Sequence, residues 1–326
     1  MPELAGKTIF ITGGSRGIGH AIGLRCAKAG ANIVIAAKNE TSQNPSANIY
    51  AAADQIVKAG GNALAIDIDV SDANAIDAAI SKAVNQFNGI DILINNVSAF
   101  CFTDTISTPP DKFDLLFSVN VRATFLISQA CFPYLKQAAN PHIINISPPL
   151  DMDSRWFKNH LAFTMSKFGM SMCTLGMAAE FQSAGIAVNS LWPLTTIATT
   201  TIKDHFVSEV YSGSRWPSIM ADAAYELMQR TARECTGQFF IDEKILREAG
   251  VTDFNHYAVN PDVPLIQDLF VPEGIMGSDS IGIPLAKNLF AIDVGLHELN
   301  QGNKVSAKDS YNRLKKKVNK IAKEKK

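Results

Sequence analysis

Charge is scarce and nearly balanced in this sequence. Only 19% of its 326 residues are charged, with 30 Lys and Arg against 31 Asp and Glu. Cysteine is sparse too. Cys26, Cys101, Cys131, Cys173 and Cys235 stand singly, with no C-x-x-C pair and no histidines at ligand spacing. That excludes a disulfide framework, and no metal is expected. Apolar runs approaching the roughly twenty residues that span a bilayer are missing, as is a basic start followed by an apolar core. The expectation is therefore a chain with no transmembrane segment, folding in the cytoplasm. What is present in quantity is hydrophobic material, 47% of the residues, enough for the full core of one large domain with appendages.

The near-zero net charge hides an asymmetry. Residues 311–326 hold Arg313, Lys315, Lys316, Lys317, Lys320, Lys323, Lys325 and Lys326 against Glu324 alone, which leaves 22 basic against 30 acidic residues elsewhere. A body with net charge −8 has no footprint for nucleic acid, so no nucleic-acid partner is expected and only the tail could steer anions.

Along the first 240 residues, short β-branched runs alternate with amphipathic stretches. That is the signature of βαβ units and a parallel sheet. Seven strands are expected, at 8–12, 32–36, 63–66, 91–94, 142–146, 186–191 and 238–241. Several are continuous apolar runs, as strands covered on both faces should be. Helices are expected at 17–30, 46–59, 72–87, 111–138 with a break near Asn120, 161–184 and 218–230. Ser71-Asp72 offers an N-cap for the third, and Gly30, Gly60 and Gly185 stand where helices should stop. A proline-rich stretch with Pro261, Pro264 and Pro272 follows. The domain reading is a body at 1–243, an extension at 244–275 packed on it, and a basic appendage at 276–326, either disordered or a frayed helix in which Leu314, Val318 and Ile321 fall at helical spacing.

The run Thr12-Gly13-Gly14-Ser15-Arg16-Gly17-Ile18-Gly19 directly follows the first strand and opens the first helix. A turn this tight needs residues without Cβ, and the amides at a helix start can meet a pyrophosphate. At the end of the second strand, Ile35-Ala36-Ala37-Lys38 offers no carboxylate to a ribose. Lys38 and Arg16 together would compensate a 2′-phosphate, so NADP is expected over NAD.

The spacing T-G-x-x-x-G-x-G resembles that of the short-chain dehydrogenases. Asp69-Val70 after the third strand, Asn95-Asn96-Val97-Ser98 after the fourth and Asn120 within a long helix agree with that family. The resemblance implies a Rossmann-type, doubly wound α/β fold with a seven-stranded parallel sheet and helices on both faces. It also implies that Asp69 contacts adenine, that the Asn95 region lines the adenosine pocket, and that Asn120 holds a water in a proton relay. Pro193, after the sixth strand, would border the nicotinamide. Leu194 follows it where the family has glycine.

Family chemistry is hydride transfer between nicotinamide and a carbonyl or alcohol carbon, assisted by a tyrosine in Y-x-x-x-K. Here the motif reads Phe163-Thr164-Met165-Ser166-Lys167. Phenylalanine cannot carry a proton, and general acid–base catalysis is typically worth about 10² to 10⁴ in rate. Lys167 remains the best polar group, since Thr164 and Ser166 are expected to point away from the Phe163 and Lys167 face. Ser147, followed by Pro148-Pro149, precedes the usual place of the family serine. His160 is expected to be a surface or capping group. The segments IVIAAK (33–38), NISPPL (145–150), GMSM (169–172) and ADAAY (221–225) are similar to the hydroxysteroid dehydrogenase-like branch of the family over about residues 4–273. That branch has Ser-Pro-Pro as its ordinary pattern, keeps the tyrosine, and adds a sterol-carrier domain for which the roughly 50 remaining residues are too few.

The resulting expectation is an NADP-dependent oxidoreductase acting on an apolar substrate, which residues 200–217 with Phe206, Tyr211 and Trp216 would cover. The alternatives are a catalytically impaired NADP-binding protein that senses or sequesters a ligand, and a scaffold bound through its basic tail to an anionic surface. Resemblance further implies a homo-oligomer formed through the helices at 111–138 and 161–184.

Overall fold

The computed structural model describes residues 4–39 and 48–272, and the backbone of 283–284. Apart from that dipeptide, the appendage expected at 276–326 lies outside the described residues, as do residues 46–47 of the second expected helix. The chain forms two compact units: one of Met1–Pro193 with Pro217–Tyr257, the other of Leu194–Trp216 with the described residues from Ala258 onward.

The first unit is built on a seven-stranded parallel sheet: β1 (Thr8–Thr12), β2 (Asn32–Ala37), β3 (Asn62–Asp67), β4 (Ile92–Asn95), β5 (His142–Asn145), β6 (Ala187–Trp192) and β7 (Phe239–Ile241), in the spatial order β3-β2-β1-β4-β5-β6-β7. Strand order reverses between β1 and β4, so their carboxyl ends form the crevice where such sheets take a ligand. The strands are apolar runs for the expected reason. Every residue of β1, β2, β4, β5 and β6 is buried, because helices cover both faces.

Those helices are α1 (Gly17–Ala27), α2 (Ile49–Lys58), α3 (Ala73–Phe87), α4 (Pro110–Leu116), α5 (Ala123–Leu135) and α6 (Leu161–Phe181). Asp72 caps α3 as expected, accepting from Asn74 N at 2.9 Å. The break expected near Asn120 is a π-helical turn at Phe117–Arg122 between α4 and α5. The whole span Pro110–Leu135 is long and apolar enough, by length and composition, to cross a membrane, which scattered charges such as Asp111 and Arg122 conceal in the sequence. Its inner face, with Ala123, Ile127, Cys131 and Leu135, belongs to the core under β4 and β5.

The second unit contains two short helices, α7 (Thr200–His205) and α8 (Ser208–Ser212), inside the stretch 200–217 expected to cover a substrate. Thr196 and Ser214 hydroxyls join at 2.7 Å, and the backbone of Arg215 bridges both Ile197 and Ala258. The first unit continues with α9 (Ser218–Gln229), where a helix was expected at 218–230, and α10 (Asp242–Glu248), which overlaps the start of the extension expected at 244–275.

Candidate functional site

The glycine loop is braced from behind by an asparagine. Thr12 Oγ1 donates to Ile94 O at 3.3 Å and accepts from the amides of Asn96 and Val97 at 3.0 and 3.1 Å. Asn96 Nδ2 donates to Thr12 O and Gly13 O at 2.9 and 3.1 Å. The end of β1 and the end of β4 are thus tied into one rigid edge. Gly13 and Gly17 have φ of +67° and +59°, a region that L side chains avoid. A Cβ on Gly19 would lie 2.6 Å from Asn96 Nδ2 and 2.7 Å from Gly13 O, so the helix start can approach the loop only because glycine stands there. Arg16, at the N-cap of α1, gives the first-turn amides no side-chain cap. Gly14, Ser15 and Ile18 complete the turn. These residues suit a pyrophosphate, which would supply the acceptors that the first-turn amides of α1 require.

Lys38 and Asp69 stand at the ends of β2 and β3 and form one pair, Nζ to Oδ2 at 2.8 Å. Asp69 Oδ1 accepts from Ser71 N and Oγ at 2.9 and 2.7 Å. Burial pushes the Asp69 carboxyl up, but the Lys38 ammonium and the Ser71 donors outweigh it and hold the pKa at about 2. Val70, next in sequence, is turned into the core.

Asn95 and Ser147 are the two ends of a buried polar chain. Asn95 Nδ2 donates to Ser128 Oγ and Asn145 Oδ1 at 3.1 and 2.8 Å. Asn145 Nδ2 donates to Thr174 Oγ1, which joins Ser190 Oγ, which joins Ser147 Oγ, each at 2.8 Å. The side chain of Asn95 therefore ties β4 to β5 and α5, and the bracing of the glycine loop falls to its neighbour Asn96. The Ser147 hydroxyl is fully buried and engaged with Ser190.

On α6, Phe163 and Lys167 are both buried, at 6% and 2% exposure. Lys167 Nζ donates to Ile146 O at 2.7 Å and lies 5.1 Å from the Trp192 ring centre. Asn120 is fixed by the backbone of Ala99, Oδ1 accepting from its amide at 2.8 Å and Nδ2 donating to its carbonyl at 2.9 Å. Its Nδ2 also donates to Ser166 Oγ at 2.9 Å. Ser166, expected to point away, is thus the link between α6 and the π-helical turn. π-turns of this kind re-aim side chains at functional sites. The close approach is made possible by Gly169, where a Cβ would fall 2.6 Å from Val121 Cγ2.

Around Phe163 lies an aromatic cluster that the sequence reading missed. Phe102 meets Phe163 at 4.8 Å between ring centres, Phe100 lies tilted against Phe102 at 5.9 Å, and His160 lies 6.2 and 6.4 Å from Phe102 and Phe163. His160 is buried rather than on the surface, with Nδ1 and Thr164 Oγ1 2.9 Å apart. Burial lowers its pKa, so the ring is neutral near pH 7. The only signal was the spacing Phe100-x-Phe102 in the segment after β4. Pro193 is buried at the end of β6. Among the described residues no cluster of His, Cys, Asp or Glu could hold a metal ion.

A sheet that reverses at a braced glycine loop, with a buried lysine on α6 and an asparagine on a π-turn, is the architecture of the short-chain dehydrogenase class. The family model described as short chain dehydrogenase matches residues 7–208, and the chain belongs to that family of oxidoreductases. Within it, the chain is similar to hydroxysteroid dehydrogenase-like protein 2 of Rattus norvegicus, 51% identical over 273 residues, which are 83% of this chain and 52% of that one. It spans only about half to two thirds of the length of such curated relatives, the match covering 65% of the Xenopus tropicalis protein. A solved short chain dehydrogenase of Mycobacterium thermoresistibile is 41% identical, with a TM-score of 0.78, covering 84% of this chain and all of that one. More distant solved relatives differ in cofactor. A metagenomic short-chain oxidoreductase in complex with NADP is 26% identical, with a TM-score of 0.60 over 73% of this chain and 97% of that one. A short chain dehydrogenase of Mycobacterium paratuberculosis bound to NAD, 20% identical with a TM-score of 0.62 over the same shares, shares the fold.

Proposed function

We propose that this protein binds NADP and transfers hydride between its nicotinamide and the carbonyl or alcohol carbon of an apolar substrate, with proton transfer slowed because Phe163 stands where relatives carry tyrosine. The observation that carries the reading is the Thr12–Gly19 loop, preformed by Asn96, together with Lys38 at the end of β2. The nicotinamide supplies the hydride. Gly13, Gly14, Ser15 and the first amides of α1 would hold the pyrophosphate, and Arg16 and Lys38 the 2′-phosphate. Lys167 would hold the nicotinamide ribose, and Lys167 or a water held by Asn120 would supply the proton more slowly than a phenol does. The Phe100, Phe102 and Phe163 rings support an apolar substrate, whose carbonyl carbon they would shield from water. We also propose that two copies associate through α5 and α6, supported by the exposed Phe125, Met165, Met172 and Leu175.

A second reading, a binding protein with no turnover, is favoured by two observations. The Ser147 hydroxyl is committed to Ser190 and the Phe163 ring to Phe102. One experiment separates the two. Titration with NADPH and NADH is followed by assays on a panel of apolar carbonyl compounds, beside a Phe163→Tyr variant. The first reading expects tighter NADPH binding, measurable native turnover and a gain of about 10² to 10⁴ in kcat in the variant. Activity confined to the variant supports the binding protein, and native turnover equal to the variant's removes the claim that proton transfer limits the rate.

A further inference from the structure

The ends of β2 and β3 are neighbours in the sheet, with Ala37 opposite Asp67, and each strand is followed by one charged residue of the site. Lys38 and Asp69 meet at 2.8 Å across that edge. The carboxylate is not loose. Ser71 holds its other oxygen through both amide and hydroxyl, and Arg122 Nη1 donates to Ser71 O at 2.7 Å. These bonds keep Asp69 ionised throughout the physiological range.

An ammonium has three donors, so Lys38 can serve Asp69 and a phosphate together. Two effects then oppose each other. The pair orders the lysine stem, which favours any ligand that meets the same ammonium. It also places a fixed negative charge within a few ångströms of the ligand, and an adenosine 2′-phosphate carries nearly two negative charges whereas a 2′-hydroxyl carries none. Repulsion scales with that charge, and an exposed lysine gains little from being ordered. The repulsion wins.

We propose that Asp69, by holding Lys38 in an ion pair oriented by Ser71, sets how strongly the protein discriminates NADPH from NADH, reducing the preference that Lys38 alone would give. The inference rests on the reading that Lys38 meets the 2′-phosphate. Asp69 is thus a specificity-determining residue that acts through Lys38.

The test measures Kd for NADPH and for NADH with the full chain, its Asp69→Asn, Lys38→Gln and doubly substituted variants, each confirmed folded by its melting temperature. Asparagine keeps the shape and the Ser71 bonds while removing the charge. The ratio Kd(NADH)/Kd(NADPH) is expected to rise roughly two- to fivefold in Asp69→Asn, and the rise should shrink in high salt. It should vanish in the Lys38→Gln background, where the ratio itself falls. If Asp69→Asn weakens both cofactors equally, the carboxylate serves the adenosine alone and the proposal is overturned. A rise that persists without Lys38 overturns it as well. Wild-type preference for NADH would instead remove the cofactor reading above while a Lys38-dependent rise kept this coupling, so the two can fail separately.

Discussion

At the scale of single residues, the cofactor loop is decided by what one position lacks. The space a methyl would need at Gly19 is taken by the carbonyl of Gly13 and the amide of Asn96, and a backbone carbonyl cannot swing aside as a side-chain end can. Gly19→Ala must therefore push α1 away from β1 or break the Asn96 bonds, either of which spoils the amide cradle. Overpacking of this kind costs about 1–3 kcal/mol. Gly176→Ala is the natural control, since nothing lies within 4 Å of the place its methyl would take and alanine favours a helix interior by roughly 0.5–1 kcal/mol. The expected outcome is a loss of about tenfold or more in NADPH affinity for Gly19→Ala, read by fluorescence titration, with Gly176→Ala binding as the native protein does. Equal affinities in all three would mean that the loop does not hold the cofactor. Asn96→Ala should resemble Gly19→Ala, because the same two carbonyls lose their brace.

At the scale of elements, α5 and α6 carry a conflict that a single copy leaves unresolved. Their inner faces belong to the core, but Met165, Gly169, Met172 and Gly176 recur at helical spacing along an outer stripe of α6. With Phe117, Val121 and Phe125 they line an open apolar cavity of about 560 Å³. If two copies close over this stripe, as proposed, Met172→Glu should halve the mass seen by light scattering without lowering NADPH affinity more than about twofold. An unchanged mass would refute association through this face. The same elements show how far the sequence could be read. All seven strands and the six long helices were legible, because burial on both faces and helical periodicity each leave a pattern over many residues. The short α7, α8 and α10 were not, since five to seven residues complete too few turns to show a period. At the site, glycines and charges at strand ends announced themselves. The choice between Asn95 and Asn96 did not, because adjacent residues leave a strand on opposite sides and only the partners reveal which side faces the loop. The Phe102, His160 and Phe163 cluster was hidden for a different reason, being assembled from segments about 60 residues apart.

At the scale of the whole molecule, one buried histidine makes the acid limb of stability predictable. His142 opens β5 with no exposed surface. Its Nε2 lies 3.1 Å from Arg230 O, while Asn140 Nδ2 donates to Met228 O and Arg230 O at 3.2 and 3.0 Å, so this corner fastens the sheet to the end of α9. Burial lowers the His142 pKa to about 4, against a smaller upward pull from the Arg230 carbonyl. The unfolded chain binds the proton near the ordinary value of 6.5. Stability that is fully present above pH 6.5 must therefore be lost as pH falls toward 4, by up to about 3 kcal/mol. His160, shifted in the same direction by its burial, adds to the loss. The carboxyls held below their ordinary range, Asp69 and Asp151, act lower on the scale. Asp69, with its pKa depressed to about 2, gives up its contribution only as pH drops below its ordinary 3.8. The interval between pH 6.5 and 4.5 thus isolates the histidines. Melting temperatures across it should fall steeply for the native protein and less steeply for His142→Asn, which can still bond to Arg230 O but cannot titrate. Parallel slopes for the two proteins would show that His142 is not the group whose protonation opens the fold.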